Sequence, residues 1–161
     1  MSGMQPSLMT QDAWEVRGAR LERYMMDTIP QARHMQIGVG AFDAAGLTLT
    51  APLAPNINHE QTAFGGSMTS LATLSCWGFV WLLLEDTSKL HIVVSDAHMR
   101  YLKPITSMLE ARCLAPDHLI LKRFLDTLAR RGRARLELRA EMRQDQELCA
   151  DYTGNFVAYR Q

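Results

Sequence analysis

Between Arg133 and Arg143 the chain alternates without a break. Ala134, Leu136, Leu138, Ala140 and Met142 take one parity, and Arg133, Arg135, Glu137, Arg139, Glu141 and Arg143 take the other. A period of two sends successive side chains to opposite faces, so this segment predicts a strand buried on one side and wet on the other. The segment "SMLEARCL" repeats the signal, with Leu109, Ala111 and Cys113 opposed to Glu110 and Arg112. Upstream, Ile37, Val39 and Ala41, then "DAAG", then Leu47, Leu49 and Ala51 predict a hairpin. "HIVVSDAHMRYL" is β-rich and largely apolar, as suits a strand within a sheet. "QDQE" turns the chain into a last strand from Leu148 to Tyr159, which brings the total to about six.

Three segments follow a helical period instead. Residues 11–28 carry Trp14, Val16, Leu21, Tyr24 and Met25 among charges, predicting an amphipathic lead-in helix that Pro30 ends. "PDHLILKRFLDTLARRG" gathers Ile120, Leu121, Phe124, Leu125 and Leu128 on one face, with Gly132 as its C-terminal cap. Gly66 to Leu84 is apolar around its whole circumference. Its apolar run, Leu71 to Leu84, is about 14 residues against the roughly 20 needed to span a bilayer, so it predicts a core helix. An antiparallel sheet that is polar on one face needs an apolar cover for the other, and this helix supplies it. The expected class is α+β, a single domain over residues 1–161 with the sheet wrapped around one long helix.

Composition narrows the partners. At 161 residues and 47% apolar the chain can bury one real core. Seventeen basic and seventeen acidic residues cancel, which points away from nucleic acid and membrane surfaces and toward a small molecule or another protein. The first twenty residues hold no apolar stretch behind a basic start, so a cytoplasmic location is expected. Cys76, Cys113 and Cys149 lie far apart without CxxC spacing, and the five histidines lack HxxxH spacing. Neither a metal nor another cofactor is expected.

The candidate chemistry sits in "NINHEQTAFGG", the loop that leads into the apolar helix. Gly65 and Gly66 open that helix, where unpaired N–H donors and the positive end of the dipole converge. They serve equally for close packing. Asn58 is a candidate donor to a substrate carbonyl, or the head of an Asx turn. His59 and Glu60 offer an acid or base from the same loop. Asp96 and His98 sit two apart on a strand and share a face. The cluster Lys122, Arg123, Arg130, Arg131, Arg133 and Arg135 is either a solvated surface or a receiver for a phosphate or an acidic protein face.

A curved sheet around one long apolar helix resembles the hotdog fold of acyl-thioester enzymes. Many hotdog thioesterases carry Asn, two residues, Gly, two more, then His-Gly-Gly. The matching positions here are Asn58, Gln61, Phe64, Gly65 and Gly66, so the Asn and both glycines are kept. Those enzymes place an Asp or Glu about two turns beyond the glycines, where this chain has Thr73. "NINHEQTAFGGSMTSLATLSCWG", "SDAHMRYLKPI" and "LEARC" are similar to the family of the YiiD C-terminal domain, from about Met35 onward. That family includes malonyl-acyl-carrier-protein decarboxylases.

The resemblance implies a homodimer with sites at the subunit interface, acting on a thioester of acyl carrier protein or coenzyme A. Within that frame the expected catalytic residues are Asn58 and Thr73, with Phe64, Gly65, Gly66, His59, Glu60, Asp96 and His98 around the substrate. Thr73 cannot be an unaided base, which hydrolysis requires. Decarboxylation of a malonyl thioester needs only donors at the carbonyl oxygen. The expected order is therefore decarboxylase, then hydrolase through Glu60 or His59, then a non-catalytic sensor of acyl thioesters.

Overall fold

The structure is a computed structural model that describes residues 11–84 and 87–160. Its elements are α1 (Gln11–Thr28), α2 (Pro30–His34), β1 (Gly38–Asp43), β2 (Gly46–Ala51), α3 (Gly65–Leu83), β3 (Leu90–Tyr101), β4 (Leu109–Leu114), α4 (His118–Arg131), β5 (Arg133–Gln144) and β6 (Glu147–Arg160). The six strands form one antiparallel sheet in the order β1-β2-β4-β5-β6-β3, with α3 across its inner face. This is the hotdog arrangement.

Burial explains why α3 sits there. Leu71, Ala72, Cys76 and Val80 are fully enclosed, in one core with Leu47 and Leu49 of β2, Leu109 and Ala111 of β4, Leu138 of β5 and Phe156 of β6. Each large aliphatic side chain so enclosed contributes roughly 1.5–3 kcal/mol. The alternation read in β5 holds residue by residue, from Ala134 inside to Arg143 outside. All three cysteines are free and buried, and burial pushes the Cys113 thiol well up.

Several expectations change. α3 runs 19 residues, so its length and composition would allow it to cross a membrane; what makes it a core helix is its burial under the sheet. Pro30 does end α1, but it also starts α2 at a position where its missing N–H costs nothing. Ile120 lies 52% exposed, while Leu121, Phe124 and Leu128 alone form the fully buried stripe of α4. Asp117 caps that helix, its carboxylate accepting from Leu119 N at 2.8 Å. A bulge between Val39 and Ala41 breaks the single face expected for β1, leaving Ala41 exposed.

A second bulge, between Val94 and Asp96, matters more for the site. Opposed residues on antiparallel strands share a face. Beyond the bulge, Met99 is opposite Tyr152 and Tyr101 opposite Ala150 on the α3 side, while Asp96, His98 and Arg100 are opposite Asn155, Thr153 and Asp151 on the outer side. The extra residue Ser95 sets this parity.

Candidate active site

The loop before α3 is built by its own side chains. Asn56, buried, donates through Nδ2 to Met35 O (2.9 Å) and Pro52 O (2.8 Å), while its backbone carbonyl accepts from Phe64 N at 2.7 Å. Between these anchors the chain makes a tight turn, with Gln61 in the left-handed region at φ 60. Asn58 organises it: Oδ1 accepts from Glu60 N (2.9 Å) and Thr62 N (3.1 Å), and Nδ2 donates to Thr62 Oγ1 at 3.0 Å. The Asx turn is therefore real. One Asn58 N–H remains weakly held, 3.5 Å from Ala63 O, and can turn to a ligand.

The loop delivers the chain to α3 with Phe64 as an N-cap that offers no side-chain bond. The N–H groups of Gly65, Gly66 and Ser67 meet no protein acceptor among the described residues, the condition for holding an oxyanion. Both glycines also permit close approach: a Cβ on Gly66 would lie 2.3 Å from the Phe64 ring, and one on Gly65 3.3 Å from the Tyr101 ring.

From there a polar stripe runs along α3 toward β3 and β6. Thr69 Oγ1 lies 2.6 Å from Tyr101 Oη, and Tyr101 donates to Gly65 O at 3.0 Å. About one turn further, Thr73 donates to Tyr152 Oη at 3.1 Å. Next, Trp77 Nε1 donates to Ile92 O at 3.1 Å. Thr73 thus reaches across to the sheet rather than back to the carbonyl four residues earlier, the usual habit of a helical threonine. Burial pushes the Tyr152 phenol up to about 12, so it stays protonated at neutral pH.

The remaining candidates are not gathered there. His59 and Glu60 pair with each other at 3.1 Å on the exposed tip of the loop, a contact worth little in water. Asp96 and His98 do share a face, but it is the outer one, away from Thr73. Asp96 is engaged by Asn155 Nδ2 (2.9 Å) and Ser95 Oγ (3.0 Å), which hold its carboxyl below the usual range and make it a weaker base. Tyr101, in a segment that reads as an apolar strand within a sheet, is 54% exposed over the first turn of α3. Tyr152 and Thr69 carried no sequence signal, because only the register of β6 brings the phenol to Thr73.

Among the described residues no three His, Cys, Asp or Glu side chains gather as metal ligands. A groove of about 560 Å³ lies elsewhere, between α1 and β1, and includes Glu15, Glu22 and Asp43 but none of the candidates. With Phe64 and Gly66 also exposed, one copy of the chain presents the site as an open shelf.

Residues 18–160 match the family described as a putative thioesterase, the YiiD C-terminal domain. The chain belongs to that family. Two solved structures share much of its sequence. A Chlorobaculum tepidum protein described as of unknown function is 31% identical over 96% of this chain and 99% of its own, with a TM-score of 0.85. A protein described as a putative thioesterase from Shewanella oneidensis is 36% identical over 90% of this chain and 99% of its own, with a TM-score of 0.77. A probable thioesterase from Pseudomonas aeruginosa, 19% identical over 89% and 96% with a TM-score of 0.74, shares the fold. Membership of the YiiD C-terminal family places the chain among acyl-thioester-processing hotdog enzymes.

Proposed function

We propose that the chain decarboxylates malonyl-acyl-carrier protein in the cytoplasm, giving the acetyl form that starts fatty acid synthesis. One observation carries this reading: where a hydrolase needs a carboxylate, Thr73 and a protonated Tyr152 offer only neutral hydroxyls. In this reaction the C–C bond to the carboxylate breaks, its electrons pass into the thioester carbonyl, and carbon dioxide leaves. The enolate carbon then takes a proton from water. No base is required for the first step. The N–H groups of Gly65 and Gly66 and the weakly held Asn58 N–H stabilise the growing negative charge at the carbonyl oxygen, each donor contributing about 3 kcal/mol in comparable sites. Thr73, roughly 10 Å further along α3, donates to Tyr152 Oη and leaves the phenol O–H free for the substrate's carboxylate. Phe64 shields the helix start, and His59 and Glu60 form the rim.

The test is mass spectrometry of purified protein incubated with malonyl-carrier protein, malonyl-coenzyme A and longer acyl thioesters. Loss of carbon dioxide with the thioester intact is expected. Release of free thiol would replace this reading with hydrolysis and direct attention to Glu60 and His59. Tight binding without turnover would make the protein a sensor.

The reading includes a homodimer paired through β3. This strand bonds to β6 on one side only, and its Val93, Val94 and Tyr101 are 44%, 41% and 54% exposed. A long, apolar, open strand edge recruits another strand, and a second copy laid there would roof the shelf of Gly65, Gly66 and Tyr101. Light scattering should give twice the chain mass; a single-chain mass at micromolar concentration would rule the pairing out.

A further inference from the structure

Five cations on the surface are tied to carboxylates: Arg100 to Asp151, Lys103 to Glu147, Arg112 to Asp43, Lys122 to Asp126 and Arg143 to Glu141. Other cations, Arg23, Arg123, Arg135 and Arg139 included, have no ion pair among the described residues, and at one corner of the sheet four such cations gather. Arg133 opens β5 opposite Tyr159, and Arg160 closes β6 opposite Leu90, its N–H bonded to Gly132 O at 2.8 Å. Lys89 precedes Leu90, and Arg130 and Arg131 end α4 just before Gly132. Lys89, Arg131, Arg133 and Arg160 are exposed and have no side-chain hydrogen bond or ion pair among the described residues; Arg130 reaches only the carbonyl of Asp126, at 3.3 Å. Leaving like charges together and unpaired is unfavourable, and an anionic partner would relieve it.

Within one chain this corner lies too far from the site to serve it. Leu90 and Tyr101 are the two ends of β3, whose 12 residues span roughly 36 Å at about 3.3 Å each. A phosphopantetheine arm is comparable to an extended chain of about five residues and reaches roughly 18 Å. Antiparallel pairing of β3 with β3 of a second copy reverses the relation, because the start of one strand then lies beside the end of the other. In a register centred on the middle of β3, these cations of one protomer would stand next to Gly65 and Tyr101 of its partner, within reach of the arm.

We propose that this corner is the docking surface for the protein carrier of the substrate, and that each protomer presents the carrier to the site of the other. The proposal rests on the carrier-bound thioester reading above. A protein is favoured over a nucleotide because the cations are separate and exposed rather than converging in a pocket, which phosphate recognition prefers. An acidic protein face matches separate point charges spread around the end of the sheet, and such pairing mainly sets recognition and association rate.

The binding test uses unacylated holo-acyl carrier protein, so it needs no turnover. Isothermal titration of the full chain against it should weaken at least tenfold in the triple variant R131E/R133E/R160E, with the thermal midpoint unmoved. Arg23→Glu, on α1 at the far edge of the sheet, should change the affinity less than twofold. Equal loss in both variants, or no loss in the triple variant, overturns the docking surface even if the decarboxylase reading stands. If turnover is absent but the titration behaves as expected, the surface stands and the decarboxylase reading fails.

The crossed arrangement has its own test. Mixed dimers are purified with one Thr73→Val protomer and one triple-variant protomer, each with a different tag. Such a dimer keeps one complete site only if the cations act across the interface, so about half the wild-type activity should return. Activity no higher than that of the two parent homodimers overturns it.

Discussion

Thr73→Val is expected to lower kcat on malonyl-carrier protein by about 10²-fold while the protein remains folded. Valine fills nearly the same volume and removes only the hydroxyl that bonds to Tyr152 Oη at 3.1 Å. The stability cost is that of one partly buried hydrogen bond, about 1 kcal/mol. Thr73→Ser restores a donor at the same place and should recover most of the rate, which separates chemistry from packing. Asn58→Ala should also stop turnover, but it removes the bonds to Glu60 N and Thr62 N that shape the loop. Asn58→Asp keeps both acceptor contacts and replaces the donor with a negative charge beside Ala63 O and the growing oxyanion, so it should stop turnover with the turn retained. Single-turnover rates with malonyl-carrier protein measure all four. Full activity in Thr73→Val would end the assignment.

Gly46→Ala is expected to destabilise the fold by about 3 kcal/mol or more. Gly46 closes the β1–β2 turn at φ 144, and a Cβ there would lie 1.9 Å from the carbonyl oxygen of Cys113, on the strand that pairs with β2. A carbonyl in a sheet ladder cannot swing aside as a side chain can. Gly132→Ala is the comparison. It shares a positive φ, at 67, but a Cβ there meets nothing within 4 Å, so only the backbone preference of about 1 kcal/mol is lost. Urea unfolding of both variants decides the matter. Equal midpoints would show that the β2–β4 ladder shifts freely, contrary to the packing described.

The period of two in β5 and the apolar length of α3 were legible in the sequence because each signal comes from burial, which fixes residue type position by position. The glycines that open α3 were legible for a related reason: a Cβ on Gly66 would press into the Phe64 ring and one on Gly65 would crowd the Tyr101 ring. Asp96, His98 and Tyr101 were harder to place. One extra residue at Ser95 decides which of them face α3, and a bulge leaves no mark in hydrophobic pattern. Tyr152 was hidden because a tyrosine in a buried strand reads as bulk; its phenol gains a role only through the registers that place it against Thr73. Asn58 was legible as the head of an Asx turn, while its two acceptor contacts within the loop depend on a turn with Gln61 at positive φ that no residue type announced.

The two borders of the sheet are finished differently. On the β1 side, Glu22 accepts from Val39 N at 2.7 Å and α1 lies against the strand. On the β3 side nothing described covers the edge. A sheet with two open borders could add copy after copy and grow into a fibre. Among the described residues the β3 border alone is left uncovered, so joining two copies there would leave no growing end, and assembly by strand addition would be self-limiting. Removing the Glu22 carboxylate would then do more than weaken one contact: it would begin to uncover a second growing end, turning a closed pair into a seed for polymerisation.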